Sequence, residues 1–206
     1  MGFRSAFLKH DGPLACHSEI FLHVMDRCIG DDPVEMLLIG VDNGGSKQIW
    51  ESFLPDGSTV VAVDERDECL SISGVSVGRT SDRRWLERVL GDRKFDVIID
   101  SMGHADGSAW PWLKVGGYFV IEHYDPQRVW HLMNAICSDS YTWLPYEEIL
   151  GIQFYPELVL IEKRNPRAVA YIDILVGDSG DIVDESEYLD RGAKRVVVPE
   201  ETLENL

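Results

Sequence analysis

Leu37-Leu38-Ile39-Gly40-Val41-Asp42-Asn43-Gly44-Gly45-Ser46 is the stretch on which the reading of the fold turns. The run Glu35 to Gly40 is short, continuous and apolar, which is how a strand buried on both faces looks. Glycines at 40, 44 and 45 then break the run into a turn. Beyond it Ile49 and Phe53, and Trp50 and Leu54, stand at i, i+4, the spacing of one helix face, until Pro55-Asp56-Gly57 ends the stretch with turn chemistry. Strand, glycine turn and helix make the opening unit of a parallel α/β sheet.

The same unit recurs downstream. Ser58–Asp64, Val75–Val77, Phe95–Asp100 and Gly117–Glu122 are four more short apolar runs. Ser81-Asp82 reads as N-cap and first-turn acid of a helix carrying Trp85, Leu86, Val89 and Leu90 and stopping at Gly91. Asp125-Pro126 caps another, with Val129, Trp130, Met133, Ile136 and Cys137 as its apolar side. Ile149–Tyr155 and Leu158–Ile161 are separated by Pro156-Glu157 alone, so they are expected to form an antiparallel hairpin. Residues 166–206 read as an acidic, β-rich appendix to a domain spanning 1–165. In it Tyr171–Val176 and Ile182-Val183 flank the turn Gly177–Asp181, and Arg195–Val198 is one more strand. A solvated edge or a contact for self-association is the reading of this appendix, since Asp178, Asp181 and Asp184 do not have the spacing of an EF-hand loop.

Composition narrows the function. The 206 residues hold 36 Asp and Glu against 19 Lys and Arg, a formal charge of −17, and nucleic-acid binding by phosphate neutralisation is excluded on that balance. Hydrophobic residues at 45% are too many for a disordered chain and enough for one core. The apolar runs fall far short of the roughly 20 residues of a membrane span. Cys16, Cys28, Cys69 and Cys137 show neither CxxC nor zinc spacing and read as isolated thiols in a reducing, cytoplasmic compartment.

In a doubly wound sheet, ligands bind outside the carboxyl ends of the strands. The polar residues at those ends are therefore the candidates. Gly40, Asp42, Gly44 and Ser46 form the first turn, where glycine lets the backbone approach a nucleoside; a plain tight turn is the alternative. Asp64 ends the second run, where a carboxylate can accept both ribose hydroxyls, or can be a surface acid in Asp64-Glu65-Arg66-Asp67. Ser81 and Asp82 follow the third run, where an adenine would lie. Asp100 ends the fourth, with Ser101 and His104 just after it, and Glu122-His123 ends the fifth. Together these supply a general base and a divalent-metal site in one mouth, or else a loop imidazole and a polar strand end. The dinucleotide fingerprint GxGxxG is absent, which counts against a nicotinamide enzyme.

Taken in order, Leu37–Ser46 with Trp50, Val60–Asp64, Gly78-Arg79-Thr80-Ser81-Asp82, Phe95–Asp100 with His104, and Lys114–Glu122 resemble the macrocin O-methyltransferase, rhamnosyl O-methyltransferase and cephalosporin-hydroxylase-like group of S-adenosylmethionine enzymes. The resemblance covers roughly residues 9–125. It implies a Rossmann-like class I methyltransferase sheet, five parallel strands plus a C-terminal antiparallel hairpin. It also implies S-adenosylmethionine held by Gly40, Asp42, Gly44, Ser46, Asp64, Ser81, Asp82 and Asp100, with His104 and Asp100 catalytic. Three departures stand out. Leu38 replaces an acid that helps hold the methionine end, Ser101 replaces the second acid of an Asp-Asp pair, and His123 replaces the Asp after Glu122. Magnesium or manganese on Glu122 and His123 is the implied metal, and imidazole in place of carboxylate favours the softer ions. The expected activity is O-methylation of a sugar or glycosylated small molecule. The alternative is a degenerate member that serves as a binding or assembly module.

Overall fold

A computed structural model of the protein describes residues 25–26, 28–41, 44–102, 107–122, 148–154, 158–163, 171–174 and 195–196. Among them are the strands β1 (Glu35–Ile39), β2 (Thr59–Asp64), β3 (Val75–Val77), β4 (Phe95–Asp100), β5 (Leu113–Glu122), β6 (Ile149–Phe154), β7 (Leu158–Lys163), β8 (Tyr171–Ile174) and β9 (Arg195–Val196). They form one sheet in the order β3-β2-β1-β4-β5-β7-β6-β8-β9. The first five are parallel to one another, and β7 runs antiparallel to both β5 and β6. This is the doubly wound, Rossmann-like sheet with a terminal hairpin that the apolar runs imply.

The first apolar run is unbroken because its two faces enter two different cores. Met36 and Leu38 pack with Ile49 and Trp50 of the helix α1 (Gly45–Phe53), on one side of the sheet. Leu37 and Ile39 pack with Leu86 and Leu90 of the helix α2 (Arg83–Leu90), on the other. All four strand residues are at most 6% exposed.

Local details differ from expectation in two places. The cap of α2 is Asp82, one residue later than Ser81; its carboxylate accepts from the backbone N–H groups of Arg84 (2.9 Å) and Trp85 (3.3 Å). β5 starts at Leu113 rather than Gly117, because the Gly116-Gly117 pair bends the strand without ending it, and Gly116 has φ 79°. The register with β4 shifts there, between Phe95 and Val97. In the appendix, β8 pairs parallel with β6 and antiparallel with β9, so both strands carry the sheet onward from the hairpin. The turn Gly177–Asp181, Ile182-Val183 and the helix beginning at Asp125 lie outside the described residues. No helix among the described residues is long and apolar enough to cross a membrane.

Candidate active site

The strand order reverses between β1 and β4, and α/β sheets open a crevice at such a point. Its floor is built by backbone bonds between the strand ends. Gly40 N–H donates to Val63 O (2.9 Å), Ser101 N–H to Ile39 O (2.9 Å) and Gly78 N–H to Asp64 O (2.9 Å). Gly40 (φ 87°) and Gly44 (φ 88°) are both left-handed. A Cβ on Gly40 would stand 2.7 Å from Met102 Cγ, and one on Gly44 2.9 Å from Ile72 Cγ2. The turn therefore needs glycine for its backbone angle and for close approach across the crevice. Gly44 N–H closes it by donating to Val41 O at 2.7 Å. Gly44 is also the N-cap of α1, where Ser46 sits half-buried in the first turn. Asp42 lies outside the described residues.

Asp64 is fully buried at the end of β2. Oδ2 accepts from Val41 N–H (2.8 Å) and Arg66 Nη2 (2.7 Å), and Oδ1 accepts from Arg66 N–H (2.8 Å) and Arg66 Nε (3.0 Å). The thiol of Cys69, 1% exposed, hydrogen-bonds it as well. Burial pushes the Asp64 carboxyl upward. The Arg66 side-chain bond, the two backbone N–H bonds and the guanidinium charge outweigh that and hold it well below the usual carboxylate range. For Cys69 burial comes first and the Asp64 carboxylate second, and both raise the thiol.

Beside it the Gly78–Asp82 loop is braced by Glu65, whose Oε1 accepts from Thr80 N–H and Thr80 Oγ1, both at 2.7 Å. Gly78 is required by packing, since a Cβ there would lie 2.3 Å from the Trp85 ring. Ser81 is exposed, and its Oγ accepts from Arg79 Nε at 2.9 Å. Asp82 is exposed too and spends Oδ1 on its helix cap.

Across the crevice Asp100 and Glu122 end adjacent strands, with Asp100 opposite Ile121. They are 4% and 6% exposed. Asp100 Oδ1 accepts from Met102 N–H at 3.0 Å, which shapes the start of the following loop. Ser101 Oγ donates to Glu122 Oε2. Ser101, where the resemblance implies an acid, thus bonds the acid that ends the neighbouring strand. Among the described residues no group of three or more His, Cys, Asp or Glu side chains is placed to hold a metal. His104 and His123 lie outside the described residues.

The structure thus brings Gly40, Asp64, Asp100 and Glu122 to one rim, with Gly44, Ser46, Ser81 and Asp82 on the turns around it. Sequence reasoning missed Arg66, Cys69, Glu65 and Thr80. The one available signal was that the polar run Asp64–Asp67 carries a single cation among its acids.

No protein-family model matches the sequence, and no curated protein matches it. Among solved structures the chain is similar to the methyltransferase MycE from the mycinamycin biosynthetic pathway. Against one crystal form in complex with Mg and SAH, identity is 24% over 72% of this chain and 47% of that one, with a TM-score of 0.55. Against the complex with Mg, SAH and mycinamycin VI, the values are 20%, 81%, 56% and 0.60. A second crystal form with Mg and SAH gives 20%, 92%, 58% and 0.57. The chain spans about half the length of MycE. At these identities the likeness is one of fold, and that fold is the Rossmann-like methyltransferase sheet implied by the order of the motifs in the sequence.

Proposed function

We propose that the protein is an S-adenosylmethionine-dependent O-methyltransferase acting on a hydroxyl of a sugar or glycosylated small molecule. The observation that carries this reading is the meeting of Gly40, Asp64, Asp100 and Glu122 at the crevice where the strand order reverses. MycE, with a similar fold, is a methyltransferase solved with Mg, SAH and mycinamycin VI bound.

The cofactor would supply a methyl group already activated on a sulfonium, leaving the protein to align reactants and remove a proton. Gly40, Asp42, Gly44 and Ser46 line the turn that receives the methionine portion. Asp64 accepts from the ribose, Ser81 and Asp82 border the adenine, and Asp100 accepts from the amino group. His104 takes the proton of the attacking hydroxyl. The carboxylate of Glu122 and the imidazole of His123 make a donor set that fits manganese better than magnesium, and an ion there would supply Lewis acidity to the hydroxyl. The partner is a small molecule or sugar in the cytoplasm, with no nucleic acid and no membrane. Residues 166–206, acidic and carrying the edge strand β9, serve self-association.

A second reading is favoured by the bond from Ser101 to Glu122, which stands where the resemblance implies two acids for a metal. Under it the chain is a binding or assembly module without turnover. Calorimetric titration of S-adenosylhomocysteine, with and without manganese, separates the two. Micromolar binding to the wild type, weakened about tenfold or more in Asp64→Ala, is expected for the enzyme. Absence of binding under every condition selects the module.

A further inference from the structure

The helix α2 carries a charge pattern that works against itself. Residues 79–94 hold six of the 19 Lys and Arg of a chain whose formal charge is −17, against three acids. Arg79, Arg83, Arg84, Arg88, Arg93 and Lys94 are all exposed. Arg83 and Arg84 stand in the first turn, which holds no acid and where the helix dipole disfavours cations. Arg84 and Arg88 lie at i, i+4, where like charges repel. Glu87 offsets Arg83 (Nε to Oε1, 3.3 Å), but no carboxylate among the described residues pairs with Arg84, Arg88 or Arg93. The helix holds the sheet through Leu86 and Leu90, so the arginines are not needed for that packing. An exposed row of cations that is locally unfavourable points to a partner outside the fold.

We propose that the exposed face of α2 docks the acidic run 178–190 of a second copy of this chain, and that two copies exchange the contact reciprocally. The proposal rests on the reading of residues 166–206 as a self-association segment and gives that segment its receiving surface. Residues 178–190 hold six acids and no cation, against the six cations of 79–94. They lie outside the described residues, in the connection from β8 to β9. Reach assigns the run to a second copy. α2 connects β3 to β4, whereas β8 and β9 lie four and five strands beyond β4 in the sheet. At about 4.8 Å per strand those separations are about 19 and 24 Å. The tethers from Ile174 to Asp178 and from Asp190 to Arg195 span at most about 14 and 18 Å. A chain therefore cannot lay the whole run on its own helix. Reciprocal docking between two copies gives a closed two-fold dimer. At about 0.15 M salt a Debye length of about 8 Å screens the net charges of the two bodies more than pairs in contact, and at about 1 M it falls to about 3 Å and the pairs weaken as well.

Sedimentation velocity of the full chain tests the contact. The wild type is expected to be a dimer at about 0.15 M salt and a monomer at about 1 M. Arg84→Glu/Arg88→Glu and Asp181→Lys/Asp184→Lys are each expected to be monomers at the lower salt. An equimolar mixture of the two is expected to regain dimers, because each altered face then meets its complement. The thermal midpoint of the arginine variant at the higher salt is expected not to fall, which separates lost docking from lost folding. Should it fall, Arg84→Gln/Arg88→Gln makes the same comparison without reversing charge. A wild type that is monomeric at both salts overturns the self-association reading and the proposal together. Dimers that persist in the arginine variant, or a mixture that stays monomeric, overturn the α2 dock alone. Binding of monomeric wild type to phosphatidylserine vesicles, abolished in the arginine variant, assigns the face to a membrane and overturns the proposal too.

Discussion

The carboxylate of Asp64 has lost all contact with water and is held by the Val41 and Arg66 N–H groups and the Arg66 fork. Its pKa is depressed in the folded protein, so its contribution to stability is fully present above the unfolded value of about 3.9 and is lost as pH falls through the folded value. Asp64→Asn is expected to cost about 2 kcal/mol at pH 7, because the amide nitrogen cannot accept from the donors that one carboxylate oxygen now satisfies. In urea unfolding the gap between the two proteins stays constant down to about pH 4 and narrows below it. A gap that is flat to pH 2 contradicts the assignment. The place of Asp64 was legible because a charged residue closing a buried apolar run falls at a strand end. Its partner was not, because which of several neighbouring polar side chains turns back on it depends on a rotamer that spacing does not encode.

The helix α2 shows what local chemistry predicts well. Its cap, its apolar positions Leu86 and Leu90, and its stop at Gly91 follow from capping preference and period. Only the capping residue was displaced by one. Asp82 gives its Oδ1 to two backbone N–H groups, so Asp82→Ala is expected to cost about 1 kcal/mol in the denaturation midpoint. A loss under about 0.3 kcal/mol would mean that the cap contributes nothing there. The strands were equally legible wherever both faces are buried, as in β1 and β4. The first four residues of β5 were not. Val115 is 60% exposed and Gly116 left-handed, which is how a loop reads, yet Lys114 is held onto β4 by both oxygens of Asp96 (2.9 and 2.8 Å). That is a tertiary contact outvoting local propensity.

Across the whole molecule, the sheet order followed from the alternation of strands and helices and from the short hairpin connection, both of which are topological rules. The contents of the crevice followed less fully, because they depend on which strand ends become neighbours and on how their side chains pair. The bond from Ser101 to Glu122 is of this kind. For the proposed reaction, His104→Ala is expected to lower methyl transfer to a sugar acceptor by about 10²-fold while leaving S-adenosylhomocysteine affinity unchanged. Wild-type turnover in this variant would remove His104 as the base.

The crevice also has a place in the order of folding. β1 and β2 are brought together over a short connection, with Val34 N–H bonding Ser58 Oγ 24 positions away. The seam between β1 and β4 joins groups much farther apart, Glu35 N–H reaching Asp96 Oδ2 across 61 positions. Closing the longer loop carries the larger entropic cost. The crevice therefore has no local precursor. It comes into being only when the longest of these connections shuts, and whatever binds across Gly40 and Asp100 clasps the chain at the joint that is hardest to close.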